Sequence, residues 1–209
     1  MRTWSWAPLA LVLLPAAVRA MPCCDINSST PGCINLVGSN GVTPASDFGS
    51  FTVIVRDIAN NPVVGANVVI DLSGALDIVL CADQLDPGLV VNCAAKTVSH
   101  PTDATGSVTF TLLGGSNGAG HASTLLQGGK IFANGTLLQS PTVPAYDLDG
   151  HGGVGANDLS AWLGDFGSGQ PYGRSDYDCT GTIGANDLSQ WLRAFGSGEM
   201  GSSCGASCP

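Results

Sequence analysis

The chain has 209 residues, a pI near 4.3 and a formal net charge of −9, although only 11% of its residues are charged. This acidity argues against nucleic acid as a partner, because phosphates are bound by clustered Lys and Arg. Glycine is abundant, at 29 residues, whereas aromatic residues make up 6%. A composition poor in charge and rich in Gly, Val, Thr and Ser favours β-strands joined by many turns.

The first 20 residues have the three parts of a secretory signal peptide. Arg2 supplies a positive charge, residues 9–18 form a short apolar run, and Val18 and Ala20 are the small residues that precede a cleavage site. The apolar run is too short to span a bilayer, and no later run is long enough either. We therefore expect a secreted protein, extracellular or at the cell surface, with no membrane span.

Residues 21–142 are expected to form one β-rich unit. Short segments rich in β-branched residues are separated by turn signals such as Asn60-Asn61-Pro62 and Thr105-Gly106. This spacing is typical of an all-β sandwich. The Gly-rich stretch 114–120 is expected to be a flexible hairpin loop. The predicted strands are 51–56, 67–71, 77–80, 107–112 and 130–133.

Two stretches of this unit resemble bacterial Ig-like domains of the invasin and intimin type. Residues 53–70 combine a strand, an Asn-Pro turn and a Gly-Ala-x-Val strand, and residues 102–111 combine a Thr-Asp-x-x-Gly hairpin with a further strand. The resemblance implies an Ig-like β-sandwich used as a spacer, stalk or adhesive module, and it implies no chemistry.

The remainder, residues 143–209, follows a linker predicted at 141–144 and contains an internal repeat. Residues 147–167 align with residues 176–196 without a gap. Each copy begins with Asp-x-Asp, has Gly at its sixth place and carries a further Asp at its twelfth. Calcium explains this spacing, because a twelve-residue loop can wrap a hard cation in oxygen ligands.

The repeat therefore predicts two Ca²⁺ sites. The carbonyls of Gly153 and Thr182 stand at the seventh place of each loop, and the fifth place holds His151 in one loop and Thr180 in the other. His is a poor calcium ligand and Thr offers one neutral oxygen, so we expect sites of unequal strength. The predicted carboxylate ligands are Asp147, Asp149 and Asp158 in the first loop, and Asp176, Asp178 and Asp187 in the second.

A helix is predicted after each loop. Leu159, Trp162, Leu163 and Phe166 are spaced as one apolar face, and residues 188–195 repeat the pattern. Gly167 and Gly196 are expected to end the helices. The two tryptophans are expected to pack in the core between the helices. The alternative is a partly exposed docking face, and both can hold because so small a module cannot bury everything.

This duplicated loop–helix unit, with Asp at the twelfth place, resembles a type I dockerin over residues 147–196. The resemblance implies that the tenth and eleventh loop places help to select a cohesin partner. An identical pair in both loops suits binding in either of two orientations. These partner-binding candidates are Ala156, Asn157, Ala185 and Asn186.

All eight cysteines follow the predicted signal peptide, and an even number in an exported protein indicates disulfides. Sequence proximity divides them into a first group, Cys23, Cys24, Cys33, Cys81 and Cys93, and a second group, Cys179, Cys204 and Cys208. Each group has an odd number of members, so full pairing requires one bridge between the groups, or else two thiols stay free. Within the second group, Cys204 or Cys208 is a candidate partner for Cys179.

Nothing in the sequence predicts catalysis. His100, His121 and His151 are scattered, and no serine-hydrolase or zinc-protease motif is present. We expect a secreted, non-catalytic docking or adhesion protein whose calcium-dependent repeat attaches the Ig-like domain to a cohesin-like protein or a cell-surface scaffold. The alternative is a structural extracellular protein, or one that binds polysaccharide, in which the repeat is only a stabilising calcium module.

Overall fold

The computed structural model describes residues 27–39, 41–118 and 127–197, together with Cys204 and Cys208. The predicted signal peptide, Cys23, Cys24 and His121 lie outside these residues. The described chain is mainly β, as expected, and contains no helix long and apolar enough to cross a bilayer. The strands are β1 (Ser50–Ile54), β2 (Asn67–Asp71), β3 (Ile78–Leu80), β4 (Val90–Asn92), β5 (Thr97–Pro101), β6 (Ser107–Thr111), β7 (Gly114–Ser116), β8 (Lys130–Ala133) and β9 (Thr136–Gln139), and the helices are α1 (Ser46–Gly49), α2 (Ala156–Ser168) and α3 (Ala185–Ser197).

All five predicted strands are present, with ends displaced by no more than two residues. Four further strands, β4, β5, β7 and β9, were not predicted from the sequence. Strand β5 ends in His-Pro, yet it lies inside the sheet between β2 and β4. Strand β7 is Gly-Gly-Ser, and it pairs with β3 where we expected a flexible loop. Pairing with a neighbour, rather than local propensity, determines these segments.

The strands form antiparallel ladders around a common core. Five of them are ordered β4-β5-β2-β8-β9, and β1–β6 and β3–β7 form separate pairs. Alternation along β2 turns Val68 and Ile70 inward, where they join Val53 of β1 and Phe110 of β6 in one buried cluster. The apolar face of the five-stranded sheet is therefore covered by the β1–β6 pair.

The part of the chain predicted as a linker is not exposed. Residues 141–148 are all buried. The N–H of Ile34 donates to the Thr142 carbonyl at 2.9 Å, and the N–H of Leu36 donates to the Pro144 carbonyl at 2.8 Å. This segment joins what we call the β region, residues 27–142, to the repeat region, residues 147–197. The Ser116 N–H donates to the Asp147 carbonyl, so a backbone hydrogen bond also joins the two regions directly.

A second buried cluster spans both regions. The β region contributes Val37 and Leu113, and the repeat region contributes Trp162, Trp191 and Tyr177 among others. The indole N–H of each tryptophan donates to the carbonyl of the residue that precedes the other repeat. That of Trp162 donates to the Ser175 carbonyl at 3.4 Å, and that of Trp191 to the Tyr146 carbonyl at 3.3 Å. The core-packing interpretation of the tryptophans is therefore confirmed.

Helix ends differ from the prediction. Gly167 and Gly196 both lie inside their helices, which end one residue later at Ser168 and Ser197. Each of these serine hydroxyls donates to a carbonyl in the last turn, that of Asp165 or that of Ala194. Helix α2 is capped instead by Gly169, which adopts a left-handed φ of 67° and donates its N–H to the Phe166 carbonyl.

The disulfides also differ from the expectation of a single bridge between the two groups of cysteines. Three bridges join described cysteines, and each one connects the two groups: Cys33–Cys179, Cys81–Cys204 and Cys93–Cys208. Sequence proximity was misleading because the folded chain brings distant segments within bridging distance. Cys179 is consequently not bonded to the C-terminal tail.

A buried ion pair holds the repeat region together. The Arg174 side chain donates to both carboxylate oxygens of Asp165, at 2.7 and 2.8 Å, and the Ser175 hydroxyl donates to the same carboxylate at 2.6 Å. Arg174 also reaches the Ser116 hydroxyl of β7, at 3.5 Å. Asp165 is 0% exposed and Arg174 is 4% exposed, so each charge depends on the other for solvation.

We expect Asp165→Ala to lower the free energy of unfolding by about 3–5 kcal/mol, because it leaves the Arg174 guanidinium buried without its counter-ion. Urea denaturation of the disulfide-intact chain measures this loss. The double variant Asp165→Ala with Arg174→Met should recover much of it, since both charges are then removed. A loss below about 1 kcal/mol for the single variant would show that the pair is not important for stability.

Candidate metal centre

The first acidic loop is organised by the carboxylate at its twelfth place. Asp158 lies in the first turn of α2, and one of its oxygens accepts the N–H groups of Leu148 at 2.6 Å and Asp149 at 2.9 Å. Its other oxygen accepts the Gly155 N–H at 2.6 Å, which caps the helix. Asp158 therefore ties the start of the loop to the start of the helix.

The second loop repeats this arrangement. Asp187 accepts the N–H groups of Asp178 at 3.1 Å and Gly184 at 2.8 Å. Asp176, at the first place, accepts the N–H groups of Thr180 at 3.1 Å and Gly181 at 2.9 Å. The loop backbone thus turns around its own carboxylates in both copies.

Each loop brings its three predicted carboxylates together. In either set, one oxygen from each residue lies within 4.8 Å of the others, and the residues at the first and twelfth places are buried. Three carboxylates at this separation repel one another, and an oxygen-only donor set suits a hard cation. Either cluster could therefore hold a metal ion. The clusters are Asp147, Asp149 and Asp158, and Asp176, Asp178 and Asp187.

The electrostatics favour a cation at both positions. Burial, followed by the charge of Asp158, raises the pKa of Asp147 to about 6. Burial likewise raises the pKa of Asp176 to about 6, and the nearby charge of Asp187 adds to the shift. Burial also raises the pKa of Asp158. A cation would offset this penalty, because a positive charge beside the carboxylates favours their ionised form despite their burial.

The other predicted ligands are placed less uniformly. His151 is exposed and lies outside the first carboxylate cluster, and its Nδ1 is 2.7 Å from the Asp149 carbonyl oxygen. The hydroxyl of Thr180 lies 3.4 Å from the Thr182 carbonyl oxygen, and it borders the second cluster. Gly153 is buried and adopts a positive φ of 76°.

The four partner-binding candidates are all exposed, in the first turns of α2 and α3. One of them, Asn186, also contacts a carboxylate cluster. The pKa of Asp178 is lowered overall. Burial acts to raise it, but hydrogen bonds, among them side-chain bonds from Thr180 and Asn186, outweigh the effect of burial. Asn186 therefore lies against the second carboxylate cluster, a role that its position in the repeat did not predict.

Sequence reasoning missed the residues on which the loops rest. Strand β7 lies beside the first loop, where Gly115 approaches Asp147, and Cys33 is bonded to Cys179 within the second loop. The run of glycines from Gly114 was a signal for close backbone approach, which we interpreted as flexibility. No local feature of the sequence indicated that Cys33 is the disulfide partner of Cys179.

Comparison with known proteins adds no identification, because no family model, curated protein or solved structure matches the chain.

The metal-free chain should become less stable as the pH rises from about 4 to about 7. Asp147 and Asp176 have folded-state pKa values raised from 3.8 to about 6, so the folded state binds more protons than the unfolded state in this range. Urea denaturation in EDTA at several pH values measures the slope.

The double variant Asp147→Asn with Asp176→Asn is the matched control, because it removes both titrations and keeps a side-chain oxygen in place. Near pH 7 in EDTA it should exceed the native chain in stability, by an amount on the order of 2 to 5 kcal/mol. Equal pH profiles for the two proteins would mean that burial does not shift these carboxylates.

Proposed function

We propose that the repeat region is a calcium-binding, dockerin-like module that attaches the β region to a cohesin-like or cell-surface protein. One observation carries the proposal: two carboxylate clusters occur in register, each at the start of a helix that presents the same exposed apolar pair. Cation binding and a duplicated apolar surface are the two properties that calcium-dependent docking needs.

Calcium is the cation that the donor set favours. It takes six to eight oxygen ligands, and each loop offers three carboxylates, to which we add the predicted carbonyl of Gly153 or Thr182. In the second loop the Thr180 hydroxyl adds a side-chain oxygen next to Asp178, whereas His151 in the first loop adds none. We therefore propose two Ca²⁺ sites, of which the second is the stronger.

The helices supply the docking surface. Leu163 and Phe166 of α2 are each 51% exposed, and their counterparts Leu192 and Phe195 of α3 are 49% and 53% exposed. These side chains occupy equivalent places in the two repeats. Large apolar groups exposed in matching pairs are typical of interaction surfaces, and their duplication supports binding in either of two orientations.

The alternative is a structural protein in which calcium only stabilises the chain. The cluster shared by the two regions and the Cys33–Cys179 bridge between them favour this interpretation, as do the two bridges from the β region to Cys204 and Cys208. Polysaccharide binding has less support. Within residues 27–118 and 127–142, the aromatic side chains Phe48, Phe51, Phe110 and Phe132 are all buried or half-buried.

Calcium binding is tested by calorimetric titration of the full chain with CaCl₂ after treatment with a chelator. We expect two sites in the native chain, and Asp158→Ala or Asp187→Ala should each weaken one of them by at least about tenfold, since each removes a carboxylate ligand. Asp83→Ala is the control, because Asp83 is exposed and lies outside both clusters. Native-like titrations of the Asp158 and Asp187 variants would refute the ligand assignment.

Docking is tested by biolayer interferometry against a panel of recombinant cohesins, in calcium and in EDTA. Binding should require calcium, and Leu163→Asp combined with Leu192→Asp should weaken it by at least about tenfold. Ser160→Ala with Ser189→Ala, at exposed positions of the same helices, should leave it unchanged. If the chain binds calcium but no cohesin in the panel, the structural alternative replaces docking.

A further inference from the structure

The two acidic loops contact the β region through the same position. The fourth residue is Gly150 in the first loop and Cys179 in the second, and both have a positive φ, 76° and 54° respectively. The Cβ position of the fourth residue faces the β region in both loops, because a Cβ on Gly150 would meet the Ser116 carbonyl oxygen and the Cys179 side chain is bonded to Cys33. The contact itself is non-covalent in one loop and covalent in the other.

The first loop lies directly against the strand β7 and the residues that follow it. The Ser116 N–H donates to the Asp147 carbonyl at 2.6 Å. A Cβ on Gly150 would lie 2.6 Å from the Ser116 carbonyl oxygen, and a Cβ on Gly118 would lie 2.7 Å from the Asp149 carbonyl oxygen. Side chains have no room at this contact, which accounts for the glycines on both sides.

The second loop is attached by the Cys33–Cys179 disulfide. Cys179 stands between Asp178, a predicted ligand, and Thr180, whose N–H donates to the carboxylates of both Asp176 and Asp178. In the β region, the backbone of Cys33 is held by an isolated parallel β-bridge to Thr142. The disulfide therefore links the ligand-bearing turn to a segment that is itself hydrogen-bonded into the β region.

We propose that the β region sets the metal affinity of both loops by holding them in shape, the first through the β7–Gly118 backbone contact and the second through Cys33–Cys179. This inference rests on the proposed calcium function. An ordered loop loses less conformational entropy when it binds an ion, so disturbing its support lowers affinity while every ligand residue is kept. Gly115, Gly118, Cys33 and Cys179 are accordingly positioning residues, and the repeats do not act independently of the β region.

The test is calorimetric titration of the full chain with CaCl₂ in single-site backgrounds. Asp187→Ala leaves the first loop as the intact site, and in that background Gly118→Ala should weaken binding by at least about tenfold. Gly65→Ala is the matched control, since Gly65 has a φ of 69°, close to the 67° of Gly118, but nothing lies within 4 Å of its Cβ position. The two changes carry similar backbone strain and differ in the contact with the loop.

For the second loop, the background is Asp158→Ala. The double change Cys33→Ala with Cys179→Ala should weaken calcium binding by at least about tenfold. Cys93→Ala with Cys208→Ala removes a bridge that contains no residue of either loop, so it should leave the affinity unchanged.

Circular dichroism of each variant distinguishes loss of support from loss of the fold. If Gly118→Ala does not fold, Gly115→Ala replaces it, because its Cβ would lie 3.1 Å from the Asp147 carbonyl oxygen and needs only a small shift. Folded variants that bind calcium with native affinity would overturn the proposal and leave the calcium sites standing. A native chain that binds no calcium would instead overturn the proposed function itself.

Discussion

Mutual repulsion among buried carboxylates is the constraint that organises the repeat region. Three acidic groups lie within 4.8 Å of one another in each loop, and four of the six are almost fully buried. Such an arrangement is costly unless backbone N–H groups and a cation compensate the charge. The N–H groups are supplied by the loops themselves, which turn around Asp158 and Asp187. Either cluster could hold a cation that compensates the remaining charge, and its oxygen donors are compatible with calcium.

Holding these clusters together requires rigid surroundings, and the β region provides them. The first loop rests on a strand made of glycine and serine, the second is bonded to Cys33, and the tryptophans of the two helices brace the opposite repeats. The Asp165–Arg174 pair fixes the turn between the repeats. The outer faces of α2 and α3 remain exposed to solvent. They carry Leu163 and Phe166 on α2, and Leu192 and Phe195 on α3.

Five of the nine described strands and the helices α2 and α3 were predictable from sequence because their signals are local. Five β-branched segments became strands, and the repeated spacing of apolar residues became α2 and α3. The carboxylate clusters were accessible as well, since all three members of each lie within one twelve-residue loop. Strand β7, by contrast, has neither side-chain bulk nor β propensity. Its structure depends on β3 and on the first loop, which are distant in sequence.

The sequence by itself therefore determined the β class, the duplicated helices and the two sets of acidic residues, because each is encoded by neighbours along the chain. Only the tertiary structure decided that the repeats share a core with the β region, that all three described disulfides join the β region to Cys179, Cys204 or Cys208, and that the predicted linker is buried. These features depend on which distant surfaces meet. That outcome is set by the packing of the whole chain, for which no local pattern of residues carries the information.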